Sequence, residues 1–127
     1  LTKIPDGLRY SREHEWAKVE EDRARVGITD HAQSELTDVV YVELPATGRS
    51  VGLGEPIGVV ESVKAVSEIL APVSGKVVES NDRLADHPEL VNKDPYGDGW
   101  IVTIEMSNPA DVERLMDAAA YRRHIGE

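Results

Sequence analysis

Ile57-Gly58-Val59-Val60-Glu61-Ser62-Val63-Lys64-Ala65-Val66-Ser67-Glu68-Ile69-Leu70 sets one lysine between two short apolar arms. Both arms are rich in β-branched side chains, which fit a pleated surface better than a helix, so the stretch predicts a β-hairpin with Lys64 at its exposed tip. Turn formers bracket the legs: Gly54-Glu55-Pro56 opens one and Ser74-Gly75 closes the other. Gly54 and Gly75 lie equally far from Lys64 to within one residue, the symmetry a presented lysine needs. A turn lysine with no other context is ordinarily a solvated charge on a flexible stem.

The chain has 127 residues, which predicts a single domain over residues 1–127 with a real core. Only 5% of the residues are aromatic and none is Phe, so Val, Ile and Leu must fill that core, and small branched side chains suit a thin sandwich. No apolar run approaches the length needed to cross a membrane, and the first residues lack the basic start and apolar block of a secretory signal. A soluble protein is expected, with no membrane partner. Leu1 stands where Met would open a gene product, which leaves an initiator residue or a targeting segment open.

Acidic residues number 24 against 14 basic ones, and the formal charge of −10 would repel phosphate backbones. No basic stripe with interleaved aromatics offsets it, so nucleic acid is not an expected partner. An acidic surface keeps a small protein soluble and can also steer it toward basic docking sites. The absence of cysteine excludes disulfides, thiolate nucleophiles and Cys-based metal sites.

Along the chain, Leu8 to Ser11 and Glu15 to Val19 read as strands, and Glu20-Glu21-Asp22-Arg23 turns the chain into a third at Ala24 to Ile28. Thr29 or Asp30 is placed to cap a short helix through Leu36. Val39-Val40-Tyr41-Val42-Glu43-Leu44 is apolar enough to predict an interior strand, ended by Pro45. Lys76 to Glu79 extends the sheet, Leu84 to Asn92 reads as loop with a turn of helix, and Lys93 to Gly99 is dense in turn formers before a last strand, Trp100 to Met106. Asn108 with Pro109 predicts a helix start, and Asp117 a cap for Ala118 to Ile125. The paired strand groups around Lys64 suggest two similar halves closing into a sandwich.

Other constellations carry no chemistry. His14, His31, His87 and His124 never fall at metal-ligand spacing. Asp94 to Gly99 lacks the alternating acids of a calcium loop. Gly52 and Gly54 precede a strand instead of the helix N-terminus on which a phosphate loop depends. Nothing in spacing selects a Ser-His-Asp set.

Glu61-Ser62-Val63-Lys64-Ala65, with Ser67-Glu68 and Ala71-Pro72-Val73-Ser74-Gly75 after it, closely resembles the lipoyl-attachment hairpin of the H proteins of the glycine cleavage system. The resemblance runs in order through Gly7-Leu8-Arg9-Tyr10, His14-Glu15-Trp16, Gly27-Ile28-Thr29-Asp30-His31-Ala32-Gln33, Val42-Glu43-Leu44-Pro45, Pro95-Tyr96 and Gly99-Trp100, nearly the whole chain. It implies a mainly β hybrid barrel-sandwich of antiparallel strands, with a short internal helix and a helical C-terminus. The implied function is a monomeric carrier and not an enzyme: lipoate in amide linkage to Lys64 supplies the covalent chemistry and moves between separate active sites.

The implied partners are a pyridoxal-phosphate glycine decarboxylase that loads an aminomethyl group, a tetrahydrofolate-dependent aminomethyltransferase that removes it, and a dihydrolipoamide dehydrogenase that reoxidises the dithiol. A lipoyl ligase or transferase must first modify Lys64. The implied location is the cytoplasm, or the mitochondrial matrix if a transit peptide has been removed. A carrier without thiols has no thiolate with which to trap the arm as a mixed disulfide.

A sulfur–CH2–amine group decomposes when the neutral nitrogen expels the thiolate, so an amine held protonated beside a carboxylate should last longer. The resemblance points to Glu15 as the first such carboxylate, because His14-Glu15-Trp16 matches the motif lining the arm's resting cleft. Glu68 is the second, at a place where family members carry Asp or Glu, and Val66 replaces the smaller Ala or Thr usual there. Three further readings compete: a biotinyl domain, disfavoured because Val63 and Ala65 replace the flanking methionines; an H-protein-like carrier serving lipoate relay or another pathway; and an unmodified structural sandwich.

Overall fold

The structure, a computed structural model, describes residues Leu1–Glu127. All of the strands fall into two antiparallel sheets. The larger is built from β1 (Arg9–Tyr10), β2 (Glu15–Glu20), β3 (Arg23–Ile28), β5 (Ser50–Val51), β8 (Gly75–Ser80) and β9 (Val102–Met106), in the order β1-β2-β3-β9-β8-β5. The smaller contains β4 (Val39–Glu43), β6 (Pro56–Ser62) and β7 (Val66–Leu70), in the order β4-β6-β7. The sheets are unequal, which corrects the expectation of two similar halves.

Alternation explains how they meet. Along β3, Ala24 and Val26 are buried while Arg23 and Arg25 face out. In the neighbouring strands Ile104 pairs with both Ala24 and Val77, so the three form one apolar row. Those residues share a single core with Val42, Ile57, Val60 and Ile69 from the smaller sheet. A second, aromatic cluster of Ile4, Tyr10, Trp16 and Tyr121 closes one end, with Tyr10 and Tyr121 stacked at 4.8 Å.

Helix α1 (Asp30–Leu36) starts where Thr29 accepts a hydrogen bond from the Ala32 amide, satisfying one of the free donors of its first turn. The short α2 (Arg83–Asp86) and α3 (Leu90–Lys93) fill the stretch read as loop with one turn of helix. Helix α4 (Ala118–His124) begins at Asp117, whose carboxylate accepts from the Ala120 amide. Pro109–Arg114 forms a 3-10 helix, and Asn108 does not cap it; its side-chain amide reaches toward Asp111 instead, whose carboxylate is held by Ser74.

The strand expected in the interior, β4, is an edge strand. Val40 and Tyr41 are exposed, while Val39 and Val42 are both buried. Residues three apart share the inner face because a bulge between Val39 and Tyr41 resets the period-two alternation. An apolar run therefore mimics a fully buried strand although half of it meets solvent.

Candidate functional site

The β6–β7 hairpin carries Lys64 at its tip, and Ser62 builds the turn. The Ser62 amide donates to the Ala65 carbonyl at 2.8 Å, and its hydroxyl oxygen accepts from the amides of Lys64 at 3.2 Å and Ala65 at 3.0 Å. One side chain thus satisfies amides that the three-residue loop would otherwise leave free. The Val63 amide donates to the Asp38 carbonyl at 3.0 Å, tying the tip to the segment before β4. Val63 itself is 70% exposed and Ala65 is exposed, so nothing covers the lysine from either side. The Lys64 ammonium donates to the Glu35 carbonyl at 3.2 Å, near the end of α1.

Glu35 also borders a cleft of about 280 Å³, whose apolar side is formed by Ile28, Ala32, Leu36, Val60 and Ile69. The inner face of the hairpin is one wall and α1 is the other. Its polar lining is mostly acidic, with Glu13, Glu15, Glu35 and Glu68 beside His14 and His31. At the cleft, Glu15 is 2% exposed. Ser11 donates to its Oε1 at 2.6 Å, and the Leu70 amide donates to its Oε2 at 3.3 Å. Burial outweighs these bonds and pushes the carboxyl from an ordinary 4.5 up to about 7.

Strand register places the remaining residues. Tyr41, Glu61 and Val66 form one cross-strand row, and Glu43, Val59 and Glu68 form another. Val60 and Ser67, from the alternate row, line the cleft, so both acidic rows stand on the opposite, outer face of the small sheet. Glu68 lies on an edge strand and borders the cleft as well as a shallow outer groove with Glu43 and Arg49. Glu15 and Glu68 therefore do not converge as a pair of side chains on one face.

Sequence spacing missed the histidines as a group. His14, with a left-handed φ of 76°, stands 4.7 Å from His31 and 5.8 Å from His124 between ring centroids. Their donors are partly committed: His14 Nδ1 pairs with the Tyr121 hydroxyl at 2.8 Å and His124 Nε2 with the Arg12 carbonyl at 3.0 Å. Burial, followed by the His31 and His124 rings, pushes the His14 imidazole below its ordinary value. His31 also stands 3.6 Å from Glu35. Only its place within Gly27 to Gln33, in the first turn of the helix that walls the cleft, could have marked His31 beforehand.

A hairpin that offers one lysine at its tip beside a half-open cleft, on an antiparallel sandwich, is the architecture of a prosthetic-arm carrier. The glycine cleavage H-protein family model matches residues 8–127. The chain is 60% identical over 125 residues to the glycine cleavage system H protein of Anaeromyxobacter sp. (strain K), covering 98% of each chain. It is 55% identical over 127 residues to that of Halalkalibacterium halodurans, covering 100% of this chain and 99% of the other. The crystal structure of a glycine cleavage system H protein from Mycobacterium marinum superposes with a TM-score of 0.91 at 38% identity, covering 98% of this chain and all of that one. The chain belongs to the glycine cleavage H-protein family, whose members are carrier components of that system.

Proposed function

We propose that residues 1–127 act as one carrier unit and that Lys64 is its lipoyl attachment site, with Glu61, Ser62, Val63 and Ala65 forming the motif that a lipoyl ligase or transferase reads. The observation that carries this reading is the placement of Lys64: exposed at the hairpin tip, with its ammonium donating to the Glu35 carbonyl at the edge of the cleft.

The cleft suits such an arm. Ile28, Ala32, Leu36, Val60 and Ile69 offer an apolar bed for a hydrocarbon chain, and four carboxylates suit a cationic cargo at its end. When bound, lipoate would supply the sulfur chemistry: a disulfide that is reduced as the aminomethyl group is loaded, and that the dihydrolipoamide dehydrogenase would restore by oxidising the dithiol left after unloading. The protein's own residues orient the arm, limit water and hold a proton. Glu15 is the acceptor for the cargo ammonium, since it is buried against the cleft and already fixed by two donors; Glu68 is a second acceptor at the cleft's edge. The partners are the glycine decarboxylase, the aminomethyltransferase, the dihydrolipoamide dehydrogenase and the attaching enzyme.

Incubation with a lipoyl ligase, lipoate and ATP tests the attachment. Wild type should gain one lipoyl group by intact mass, mapped to Lys64, while Lys64→Arg stays folded and gains none. A lipoyl group on Lys64→Arg overturns the assignment.

A further inference from the structure

The Glu15 carboxylate owes its position to a hydroxyl four residues earlier. Ser11 is 7% exposed, and three bonds lock it to Glu15. The Ser11 amide donates to the Glu15 carbonyl at 2.9 Å, the Glu15 amide donates to Ser11 Oγ at 2.9 Å, and Ser11 Oγ lies 2.6 Å from Glu15 Oε1. A serine hydroxyl has one proton. With Glu15 ionised its carboxylate can only accept, so the hydroxyl proton is the donor, and its choice lies between Oε1 at 2.6 Å and the Glu15 carbonyl at 3.4 Å. The shorter, charge-assisted bond wins.

We propose that Ser11 is a positioning residue for the cargo amine: its hydroxyl holds the Glu15 carboxylate toward the cleft in the ionised form that an ammonium group needs. This rests on the reading of Glu15 as the acceptor for that ammonium. A hydrogen bond donated to a carboxylate favours its ionised form, and Ser11 is the strongest such influence opposing the burial of Glu15. Every other side chain that bears on the group is less specific. Glu13 repels it from its own segment, Glu35 and His31 face the cleft from α1, Glu68 borders it from β7, and His14 and Tyr121 stand at the aromatic end. The Leu70 amide holds the other oxygen at the longer distance of 3.3 Å and cannot be removed by a side-chain change.

The test compares wild type, Ser11→Ala, Ser11→Thr and Glu15→Gln. In the unloaded protein, labelled with 13C at the glutamate carboxyls, the Glu15 resonance is assigned by its absence in Glu15→Gln. Its midpoint should rise by about one pH unit in Ser11→Ala, the displacement that loss of one charge-assisted hydrogen bond produces. Ser11→Thr keeps the hydroxyl and should titrate as wild type; the added methyl has room because Ser11 also lines a second cavity of about 350 Å³.

In the lipoylated, methylamine-loaded carrier at neutral pH, ammonia release should be several-fold faster in Ser11→Ala and faster still in Glu15→Gln. An unmoved Glu15 midpoint in Ser11→Ala, with Glu15→Gln accelerated, overturns the role of Ser11 alone. Equal release from wild type and Glu15→Gln overturns the reading of Glu15 and the role of Ser11 with it.

Discussion

The indole of Trp16 lies over its cross-strand partner Gly27, and a methyl group built on Gly27 would stand 2.7 Å from ring atoms Nε1 and Cζ2. The ring cannot simply move aside. Its Nε1 donates to the Pro95 carbonyl at 3.0 Å, and its other neighbours belong to the aromatic cluster. Gly27 is therefore set by the ring that covers it and not by backbone freedom.

Gly27→Ala should cost about 1–3 kcal/mol, the usual range for overpacking a filled core. Thermal unfolding would read the loss as a lower Tm. Because Trp16 follows Glu15 in β2, the same variant should also disturb the cleft, and the Glu15 carboxyl resonance reports whether it does.

The buried carboxyl makes a pH prediction whose sign is fixed. Glu15 titrates at about 7 in the folded chain against an ordinary 4.5, so the folded state binds the proton more tightly. Its favourable contribution is complete below about 4.5 and is lost as pH rises through about 7, a change of up to about 3 kcal/mol. His14 acts in the opposite sense, since its lowered value costs stability as pH falls through the ordinary histidine range. Both act in neighbouring windows, and His14 is common to wild type and Glu15→Gln. The difference in stability between the two, measured by urea unfolding, should move in favour of Glu15→Gln from pH 5 to pH 8. A constant difference would mean that Glu15 titrates in the ordinary carboxylate range.

Much of this molecule is written locally and was legible as such. The hairpin around Lys64, the Thr29 cap and the Asp117 cap depend on residues within a few positions of each other. The edge position of β4 was not, because exposure of Val40 and Tyr41 is decided by which strand lies alongside and by a bulge that composition does not record. Ser50–Val51 is too short to carry a periodicity, and pairing with β8 alone makes it a strand. The gathering of His14, His31 and His124 needs a strand entry, a helix and the last helix to meet. The His14-Glu15-Trp16 motif put Glu15 at a cleft, and Glu15 does line one, but its bond to Ser11 follows from a turn geometry that no residue pattern announces.

Charge yields a prediction about encounter. The formal charge is −10, and Glu13, Glu35, Glu43 and Glu68 are exposed around the hairpin and cleft. A partner with a basic docking face would be steered toward that end of the molecule. Raising ionic strength to about 0.15 M shortens the Debye length to about 8 Å, so the association rate with the glycine decarboxylase should fall severalfold from its low-salt value. Stopped-flow association at graded salt measures it, and a flat dependence would assign the charge to solubility.

The two candidate carboxylates should separate when each is neutralised. Glu15 has its carboxylate fixed at the cleft by Ser11 and Leu70, whereas Glu68 stands in the outer row with Val59 and Glu43 on a solvent-exposed edge strand. A buried charge-assisted hydrogen bond is worth about 1.5–3 kcal/mol, while an exposed ion pair contributes about 0–1 kcal/mol. Glu15→Gln should therefore accelerate ammonia release from the loaded carrier by about tenfold or more, and Glu68→Gln by about fivefold at most. First-order decay of wild type and both variants at neutral pH, without the transferase, compares them directly. A larger effect at Glu68 would require the arm to rest against the outer edge of β7, outside the cleft that ends at Glu15.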